Sequence, residues 1–383
     1  MNSTNNTFRS IQPPSSKMQA DQRAASDTVS NATQSVNGGR LTSDYGGQSP
    51  IQTPLKAVKE LTMEEIILES NEIDLEQLQT EPNFKETFFQ NSLYVGCLEN
   101  GKRNGSGIMK YQNGRQYEGQ WMKDLRHGKA FERYPNGNSY YGYFKMGKAH
   151  GKGVYTWSNG EVYDGEWEQG LKSGYGIWRG LHNDSYIGEW KESKAHGYGV
   201  HTWKNGDRYE GEWKMALKHG TGTDIFITGD SYTGEYKDGK PFGKGQYSWA
   251  NGAIYVGDFL AGLKHGKGKW RSGRGPQSNS YEGDYCEDKK QGFGQFTWAS
   301  GNVYKGEYSE DEREGYGEMY WTDGSCYQGE WIRGIQHGYG RMVFPDGTKK
   351  EGYFENNIYK VKVQITDEKG NMLRANQAGE PHE

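Results

Sequence analysis

A tyrosine followed two residues later by a glycine recurs every 23 residues through most of this 383-residue chain. Eleven full copies and a final half begin at Tyr94, Tyr117, Tyr140, Tyr163, Tyr186, Tyr209, Tyr232, Tyr255, Tyr281, Tyr304, Tyr327 and Lys350. One step differs, because the insert SGRGPQSN lengthens the copy that begins at Tyr255 to 26 residues. A short motif that recurs in phase predicts a repeat architecture, in which one small unit is stacked many times.

Each repeat is predicted to form one β-hairpin. In YEGEW, at residues 209–213, bulky residues alternate with Glu210 and Glu212, the two-residue period of a strand with an aromatic and an acidic face. A second alternating run follows a loop, as GYGVHTW does at residues 197–203, and Asn-Gly, Thr-Gly, Ser-Gly or Asp-Gly dipeptides close most repeats. Hairpins joined in line add about 9 to 10 Å each, so we expect an all-β, elongated, single-layer antiparallel sheet roughly 110 Å long.

The tryptophans are predicted to form the core of this sheet. All twelve fall at only three positions of the repeat, and the two at the third position are Trp178 and Trp270. A single-layer sheet has no second layer, so the rings must pack on one another, with the repeat glycines leaving room for them. The candidate aromatic ladder and groove comprises Trp121, Trp157, Trp167, Trp190, Trp203, Trp213, Trp249, Trp298, Trp321 and Trp331.

The repeat resembles the MORN repeat, whose core reads YxGxWxxGxxxGxG followed by a glycine turn. The resemblance covers residues 94–359 and implies an open, twisted run of antiparallel hairpins with a grooved aromatic face. The chain departs from the pattern where Ala130 replaces the second loop glycine and Lys350 replaces the opening tyrosine. The 26-residue copy also interrupts the phase near residues 272–279.

Two segments precede the array. Residues 1–55 are polar, with almost no large apolar side chains, and are predicted to form a disordered low-complexity tail. Residues 56–93 carry nine acidic and three basic side chains and are predicted to form a short acidic amphipathic helical segment, with Thr62 and Glu65 spaced as a capping box. This segment is either a lid over the first strand, as its phenylalanines favour, or a partner-binding helix.

The chain ends, at residues 360–383, with a predicted strand and a polar tail. The run KVKVQI at residues 360–365 either caps the array or pairs with a second chain, since an uncapped terminal strand invites end-to-end association. A homodimer through the C-terminal end is therefore one expectation.

Successive repeats alternate at the eighth residue after the start, so the true unit is two repeats, or 46 residues. Leucine stands there in Leu125, Leu171, Leu217 and Leu263. Lysine stands there in Lys102, Lys148, Lys194, Lys240 and Lys289. Two explanations remain open. Either the leucines tuck inward while the lysines are solvated, or the lysines form a basic loop edge with one cation about every 19 Å, suited to an extended acidic partner.

Composition and motifs argue against several classes of function. A net charge of −4 and a pI near 6.2 do not suit nucleic-acid binding. Six histidines share one repeat position, where neighbouring copies lie near 10 Å apart, too far to share a metal ion at ~2 Å per bond. The glycine clusters lack the ending of a phosphate-binding loop. We therefore expect no enzyme activity and no cofactor or metal.

The sequence lacks a run of ~18 apolar residues or a paired-cysteine motif, so a cytoplasmic location is expected. The resemblance implies a non-enzymatic scaffold that binds other proteins, in the cytoskeleton or the axoneme of a cilium or flagellum, because stand-alone MORN arrays include radial spoke heads. The alternative is a peripheral membrane adaptor that binds phosphoinositides or regulates a lipid kinase. Weak contact with anionic lipid would then involve the lysine edge.

Overall fold

The computed structural model describes residues 73–89, 91–360, 365–366 and 372–373. It confirms the all-β prediction, because 25 strands form one antiparallel sheet in which each strand pairs with the next along the chain. The predicted tail and the capping box of Thr62 lie outside the described residues. With about 4.8 Å between strands, the sheet extends for roughly 115 Å along the hydrogen-bonding direction.

The sheet is built from strands of similar length, and twelve consecutive hairpins follow its first strand. The strands are β1 (Phe84–Phe89), β2 (Ser92–Glu99), β3 (Lys102–Tyr111), β4 (Gln116–Met122), β5 (Leu125–Arg133), β6 (Ser139–Lys145), β7 (Lys148–Thr156), β8 (Val162–Glu168), β9 (Leu171–Arg179), β10 (Ser185–Lys191), β11 (Lys194–Thr202), β12 (Arg208–Lys214), β13 (Leu217–Ile225), β14 (Ser231–Lys237), β15 (Lys240–Ser248), β16 (Ile254–Leu260), β17 (Leu263–Arg271), β18 (Ser280–Cys286), β19 (Lys289–Thr297), β20 (Val303–Ser309), β21 (Glu312–Tyr320), β22 (Cys326–Ile332), β23 (Ile335–Val343), β24 (Lys349–Glu355) and β25 (Ile358–Lys360). We number the hairpins in chain order, so that β2 and β3 form hairpin 1. Two further short strands, β26 (Ile365–Thr366) and β27 (Met372–Leu373), pair with each other.

In the described part of the segment before the array, one short helix is followed by a strand. Helix α1 (Leu75–Gln79) starts at Asp74, whose carboxylate accepts hydrogen bonds from two backbone N–H groups of the first turn, and its Leu78 is buried. Phe84–Phe89 form strand β1, which pairs with β2 along its whole length. Residues 84–89 of the predicted helical segment thus form a strand, because aromatic and threonine side chains suit a strand and the edge of β2 offers backbone partners.

Two kinds of turn lie on the two long edges of the sheet. Within each hairpin a two-residue turn has positive φ at both residues, as at Met215 (51°) and Ala216 (69°). Successive hairpins are instead joined through the Asn-Gly type of dipeptide. Gly206, with φ of 93°, donates its N–H to the carbonyl oxygen of Trp203 at 2.8 Å. The glycine dipeptides therefore connect hairpins, and the tight turns inside them do not require glycine.

The longer repeat does not disturb the sheet. Arg271 still pairs with Ser280, and the backbone N–H of Ser272 donates to the carbonyl oxygen of Asn279 at 2.9 Å. The insert therefore only enlarges one connecting loop.

Every complete hairpin contains an irregularity opposite the residue after the repeat glycine. In hairpin 6, Glu212 alone lies opposite the three residues His219, Gly220 and Thr221. The Glu212 carboxylate accepts a hydrogen bond from the backbone N–H of Thr221 at 2.9 Å, and this bond lowers the pKa of Glu212. Carboxylates in six further hairpins accept the equivalent bond at 3.0 to 3.4 Å. These carboxylates, which we call the acidic row, therefore satisfy backbone groups.

The repeat tyrosines form the centre of the core and are almost completely buried. Tyr209 packs over the paired glycines Gly211 and Gly222, and its hydroxyl donates to the carbonyl oxygen of Glu212 at 3.0 Å. A Cβ on Gly211 would lie 2.5 Å from the Cα of Gly222, and a Cβ on Gly222 would overlap the tyrosine ring. The two glycines let the ring lie flat against the backbone of a single-layer sheet.

Candidate interaction surfaces

An aromatic ladder runs along one face of the sheet, with the ring four residues after each repeat tyrosine between two tyrosines. Trp213 packs edge-on against Tyr186 of the preceding hairpin and Tyr209 of its own, at centroid distances of 5.5 and 5.1 Å. The same contacts continue through phenylalanine and tyrosine at this position, as at Phe259. Edge-to-face packing is favourable for aromatic rings, so the ladder joins each hairpin to the next.

The ten candidate tryptophans fall into two rows. Five belong to the ladder, and each donates its indole N–H to a glycine carbonyl of the preceding hairpin: Trp121, Trp167, Trp190, Trp213 and Trp331. The other five stand where the connecting loops begin: Trp157, Trp203, Trp249, Trp298 and Trp321. Of this outer row, Trp203 is buried and the others are partly buried against the ladder. The ladder row fills the core, so the outer row forms the accessible part of the aromatic face.

The five candidate lysines all lie exposed beside the two-residue turns, on one long edge. The leucines that alternate with them are exposed as well, by 38% at Leu125, 44% at Leu171, 49% at Leu217 and 37% at Leu263. The explanation in which leucine tucks inward is therefore wrong. Side chains of adjacent strand residues point to opposite faces, so the neighbour of each leucine enters the core instead.

That neighbour lies nine residues after each repeat start, and its residue type alternates as well. In hairpins 3, 5 and 7 the exposed lysine is followed by a small residue, namely Ala149, Ala195 or Pro241, whereas in hairpins 1 and 9 it is followed by Arg103 or Lys290. Hairpins with an exposed leucine have a cation there, namely Arg126, Lys172, Lys218 or Lys264. From hairpin 2 to hairpin 8 the 46-residue unit thus moves a cation from the edge into the core in every second hairpin. The sequence analysis missed these cations, although the alternation at this position is visible in the sequence.

The inward cations pack against aromatic rings and, in two hairpins, against a buried carboxylate. Lys218 forms an ion pair with Asp224, which also accepts a hydrogen bond from the Tyr236 hydroxyl at 2.7 Å. The ammonium lies 4.7 Å from the centroid of Tyr209. In hairpin 2, Arg126 pairs in the same way with the buried Glu132. A charge buried among aromatic groups is tolerated when it is paired or stacked in this manner.

Lys172 occupies the same position without a carboxylate within ion-pair distance among the described residues. Its ammonium lies 4.3 Å from the centroid of Trp190, 5.1 Å from that of Tyr163 and 5.5 Å from that of Trp157. Burial lowers the pKa of Lys172 to about 8, and Glu161 offsets part of this effect. The aromatic face therefore contains an amine that titrates near neutral pH.

A cavity of ≈ 270 Å³ opens on the aromatic face where the alternation breaks. Hairpins 9 and 10 are consecutive and both place a cation inward, Lys290 and Arg313. These two side chains line the cavity together with Phe296, Trp298 and Tyr308. Asp311 lies 3.6 Å from the Lys290 ammonium, so the cavity contains charges of both signs.

Comparison with known families agrees with this architecture. The family described as MORN repeat matches residues 94–114, 117–139, 140–162, 163–180, 186–208, 209–231, 232–254, 255–275, 281–303, 304–326 and 327–349. The chain belongs to the MORN-repeat family. MORN repeats are typically scaffolds that bind proteins or membranes. A comparison with curated proteins finds no match.

Several solved structures are similar to parts of the MORN array. The Drosophila melanogaster SAS-4 TCP domain, in complex with a proline-rich motif of Ana2, is 12% identical over 41% of this chain and 85% of that chain, with a TM-score of 0.27. The E1021V mutant of the TCP10 domain of Danio rerio CPAP is 8% identical over 64% and 99%, with a TM-score of 0.18. The CPAP G-box domain is 9% identical over 66% and 100%, with a TM-score of 0.19. At such TM-scores the likeness supports no inference about this chain.

Two further observations bear on the surfaces. Within the described residues, no helix combines the length and the apolar character needed to cross a membrane. Nor do the histidine, cysteine and acidic side chains of that part of the chain form a group of three or more that could hold a metal ion. The repeated histidines, such as His219, lie instead in the irregular part of each hairpin.

Proposed function

We propose that this MORN array is a non-catalytic scaffold that holds other proteins at fixed separations. The observation that carries this proposal is the continuity of the ladder, in which Trp213 contacts Tyr186 of one hairpin and Tyr209 of the next. Because the same contacts recur along the sheet, its exposed edges present side chains at regular intervals. The buried titratable groups have structural contacts. Lys218 pairs with Asp224 in hairpin 6, and Glu132 belongs to the equivalent ion pair in hairpin 2.

We further propose that the scaffold is cytoplasmic and belongs to the cytoskeleton, including the axoneme of a cilium or flagellum. Membership of the MORN-repeat family supports this location by analogy with other stand-alone arrays. The test is extraction of the source cells with non-ionic detergent, followed by blotting of the soluble and cytoskeletal fractions. Retention in the pellet and release only by high salt would support the proposal. Complete release by detergent would contradict it.

A peripheral membrane adaptor is the second candidate, because exposed lysines such as Lys148 and Lys194 line one edge. Flotation with phosphatidylcholine vesicles, with and without phosphatidylinositol 4,5-bisphosphate, distinguishes the two functions. Flotation that requires the phosphoinositide, together with complete detergent release from cells, would favour the adaptor. A pellet fraction that resists detergent, together with no flotation, would favour the scaffold.

A further inference from the structure

The structure places lysines in pairs at one edge of the sheet, where the sequence indicated single lysines. In hairpins 3, 5 and 7 the residues that flank the two-residue turn lie directly opposite each other, and both are exposed lysines. The pairs are Lys145 with Lys148, Lys191 with Lys194, and Lys237 with Lys240. We call these six residues the lysine-pair row.

Like charges directly opposite each other on neighbouring strands destabilise a sheet. None of the six lysines has a carboxylate within 4.0 Å among the described residues, although Lys148 donates to the side-chain oxygen of Gln169 at 3.4 Å and Lys237 stacks on Phe242. Other hairpins avoid the conflict. Hairpin 1 places Glu99 opposite its lysine, Lys102. The lysine-pair row thus contains a destabilising arrangement in three hairpins at regular spacing. This repetition favours a role in binding over a role in stability.

The hairpins between the pairs place apolar residues at the same edge. Leu171 separates the first pair from the second, and Leu217 separates the second from the third; both are exposed. Adjacent pairs are two hairpins apart, about 19 Å, and the three pairs span about 38 Å. The edge therefore alternates between a lysine pair and a leucine, with Glu168 opposite Leu171 and Lys214 opposite Leu217.

The lysine-pair row is also narrow, because carboxylates lie close to the lysines. Carboxylates such as Glu189 and Glu235 stand two residues before the lysines and are held there by their bonds to backbone N–H groups. Two more, Glu192 and Asp238, lie within the turns, and Glu168 ends its strand directly opposite Leu171, against seven lysines at this edge of hairpins 3 to 7 when Lys214 is included. A broad anionic surface would meet the carboxylates as well as the lysines, whereas a single polypeptide segment can follow the lysines alone.

We propose that the lysine-pair row binds an acidic segment of a partner protein, with carboxylates of the segment at the lysine pairs and apolar side chains against Leu171 and Leu217. An extended segment would need about a dozen residues to span the row at ~3.3 Å per residue. This inference rests on the proposed scaffold function, for which it names the chemistry of one partner. Charge complementarity then fixes the position of the segment along the array, because the pairs occur only in hairpins 3, 5 and 7.

The test uses the purified full chain and fluorescently labelled poly-L-glutamate as the probe. The variant K145Q/K191Q/K237Q removes one lysine from each pair. The control K110Q/K204Q/K349Q removes three exposed lysines near the opposite edge and changes the net charge equally. We expect the pair variant to weaken binding about tenfold, since each exposed ion pair contributes little alone, and the control to change it less than about twofold. Equal loss in both variants, or no loss in either, would overturn the proposal.

Three further measurements separate the alternatives. A glutamate–leucine copolymer should bind more tightly than poly-L-glutamate, and L171Q/L217Q should remove that difference; an unchanged difference would contradict the role of the leucines.

Binding to phosphatidylserine vesicles that depends on the lysine pairs, without binding to poly-L-glutamate, would assign the row to a membrane and overturn the proposal. Thermal unfolding should show the pair variant at least as stable as the wild type, because it removes like-charge repulsion. A failure of these assays would leave the detergent-extraction result for the scaffold unaffected.

Discussion

The indole nitrogen of Trp213 donates a hydrogen bond to the carbonyl oxygen of Gly199, 3.2 Å away in the preceding hairpin. The acceptor belongs to one of the paired glycines over which Tyr186 lies. One indole therefore joins two hairpins through its ring contacts and through a backbone bond. This link joins neighbouring hairpins and makes the array continuous.

Replacement of Trp213 by alanine should therefore destabilise the array strongly. The substitution removes a ring between Tyr186 and Tyr209 and leaves a cavity, so we expect a loss of ~3 to 5 kcal/mol, with the same result for Trp190→Ala. Trp213→Phe keeps most of the packing, as Phe259 does in hairpin 8, and should cost only ~1 kcal/mol for the lost hydrogen bond. Thermal unfolding measures both effects. Trp298→Ala, in the partly buried outer row, is the matched control and should cost less; unchanged melting of the Trp213→Ala variant would disprove the ladder.

The two glycines beneath a repeat tyrosine should differ in their tolerance of alanine. A Cβ on Gly211 meets backbone atoms at 2.5 and 2.6 Å, which cannot move without breaking the ladder of hydrogen bonds. A Cβ on Gly222 meets the Tyr209 side chain, which can shift, and hairpin 2 already contains Ala130 at that position. We expect Gly211→Ala to cost more than Gly222→Ala, which should lie at the lower end of the ~1 to 3 kcal/mol typical of overpacking. Equal melting temperatures for the two variants would contradict this order.

The buried ion pair of hairpin 6 should be sensitive to the loss of one partner. Lys218→Met leaves Asp224 buried with only the Tyr236 hydroxyl as a partner, so we expect a loss of ~3 to 5 kcal/mol. The double variant Lys218→Met/Asp224→Leu removes both charges and should recover most of that stability. Chemical denaturation of the single and double variants measures the difference. A double variant no more stable than the single one would show that the charges are not coupled.

Lys172 should make stability depend on pH in the alkaline range. Its pKa is about 8 in the folded chain and ~10.4 in an unfolded one, so the unfolded state binds more protons between these values. The free energy of unfolding therefore rises with pH across this window, and the cost of the buried charge is fully present below pH 8. We expect Lys172→Met to be more stable than the wild type at pH 7 by up to about 3 kcal/mol, with the advantage vanishing near pH 10.

The control for this titration is Lys194→Met, which changes an exposed lysine in the next hairpin. Denaturation at several pH values should show no alkaline trend in the difference between this variant and the wild type. A constant difference for Lys172→Met would mean that its ammonium is not destabilised by burial.

The alternation of lysine and leucine shows what could not be inferred from the sequence. The exchange between Lys194 and Leu217 was visible and correctly indicated two kinds of hairpin, but one of the two explanations left open placed the leucine on the wrong side. Hydrophobicity favours burial of leucine, yet strand geometry places it outward and its neighbour Lys218 inward. Lys218 lies in the core because Asp224 and the ring of Tyr209 stabilise its charge there.

The role of the acidic row could not be inferred from the sequence either. The sequence showed a carboxylate such as Glu212 after the repeat glycine in eight copies, and a polar residue on an exposed face needs no further explanation. Its structural role depends on the irregularity opposite it, which frees the backbone N–H of Thr221 to bind the carboxylate. That irregularity lies beside a glycine pair that joins two strands, so it cannot be read from one strand.

Periodicity and residue type were enough to establish the hairpin unit, the order of the strands, the aromatic core and the family, because each depends on contacts within one repeat or with the next. The tertiary structure decided which side chains enter the core and which lysines face each other. Those outcomes depend on strand register and on the extra residues in each hairpin, since a shift of one residue moves every side chain to the other face. The lysine pairs exist because a two-residue turn brings Lys191 opposite Lys194.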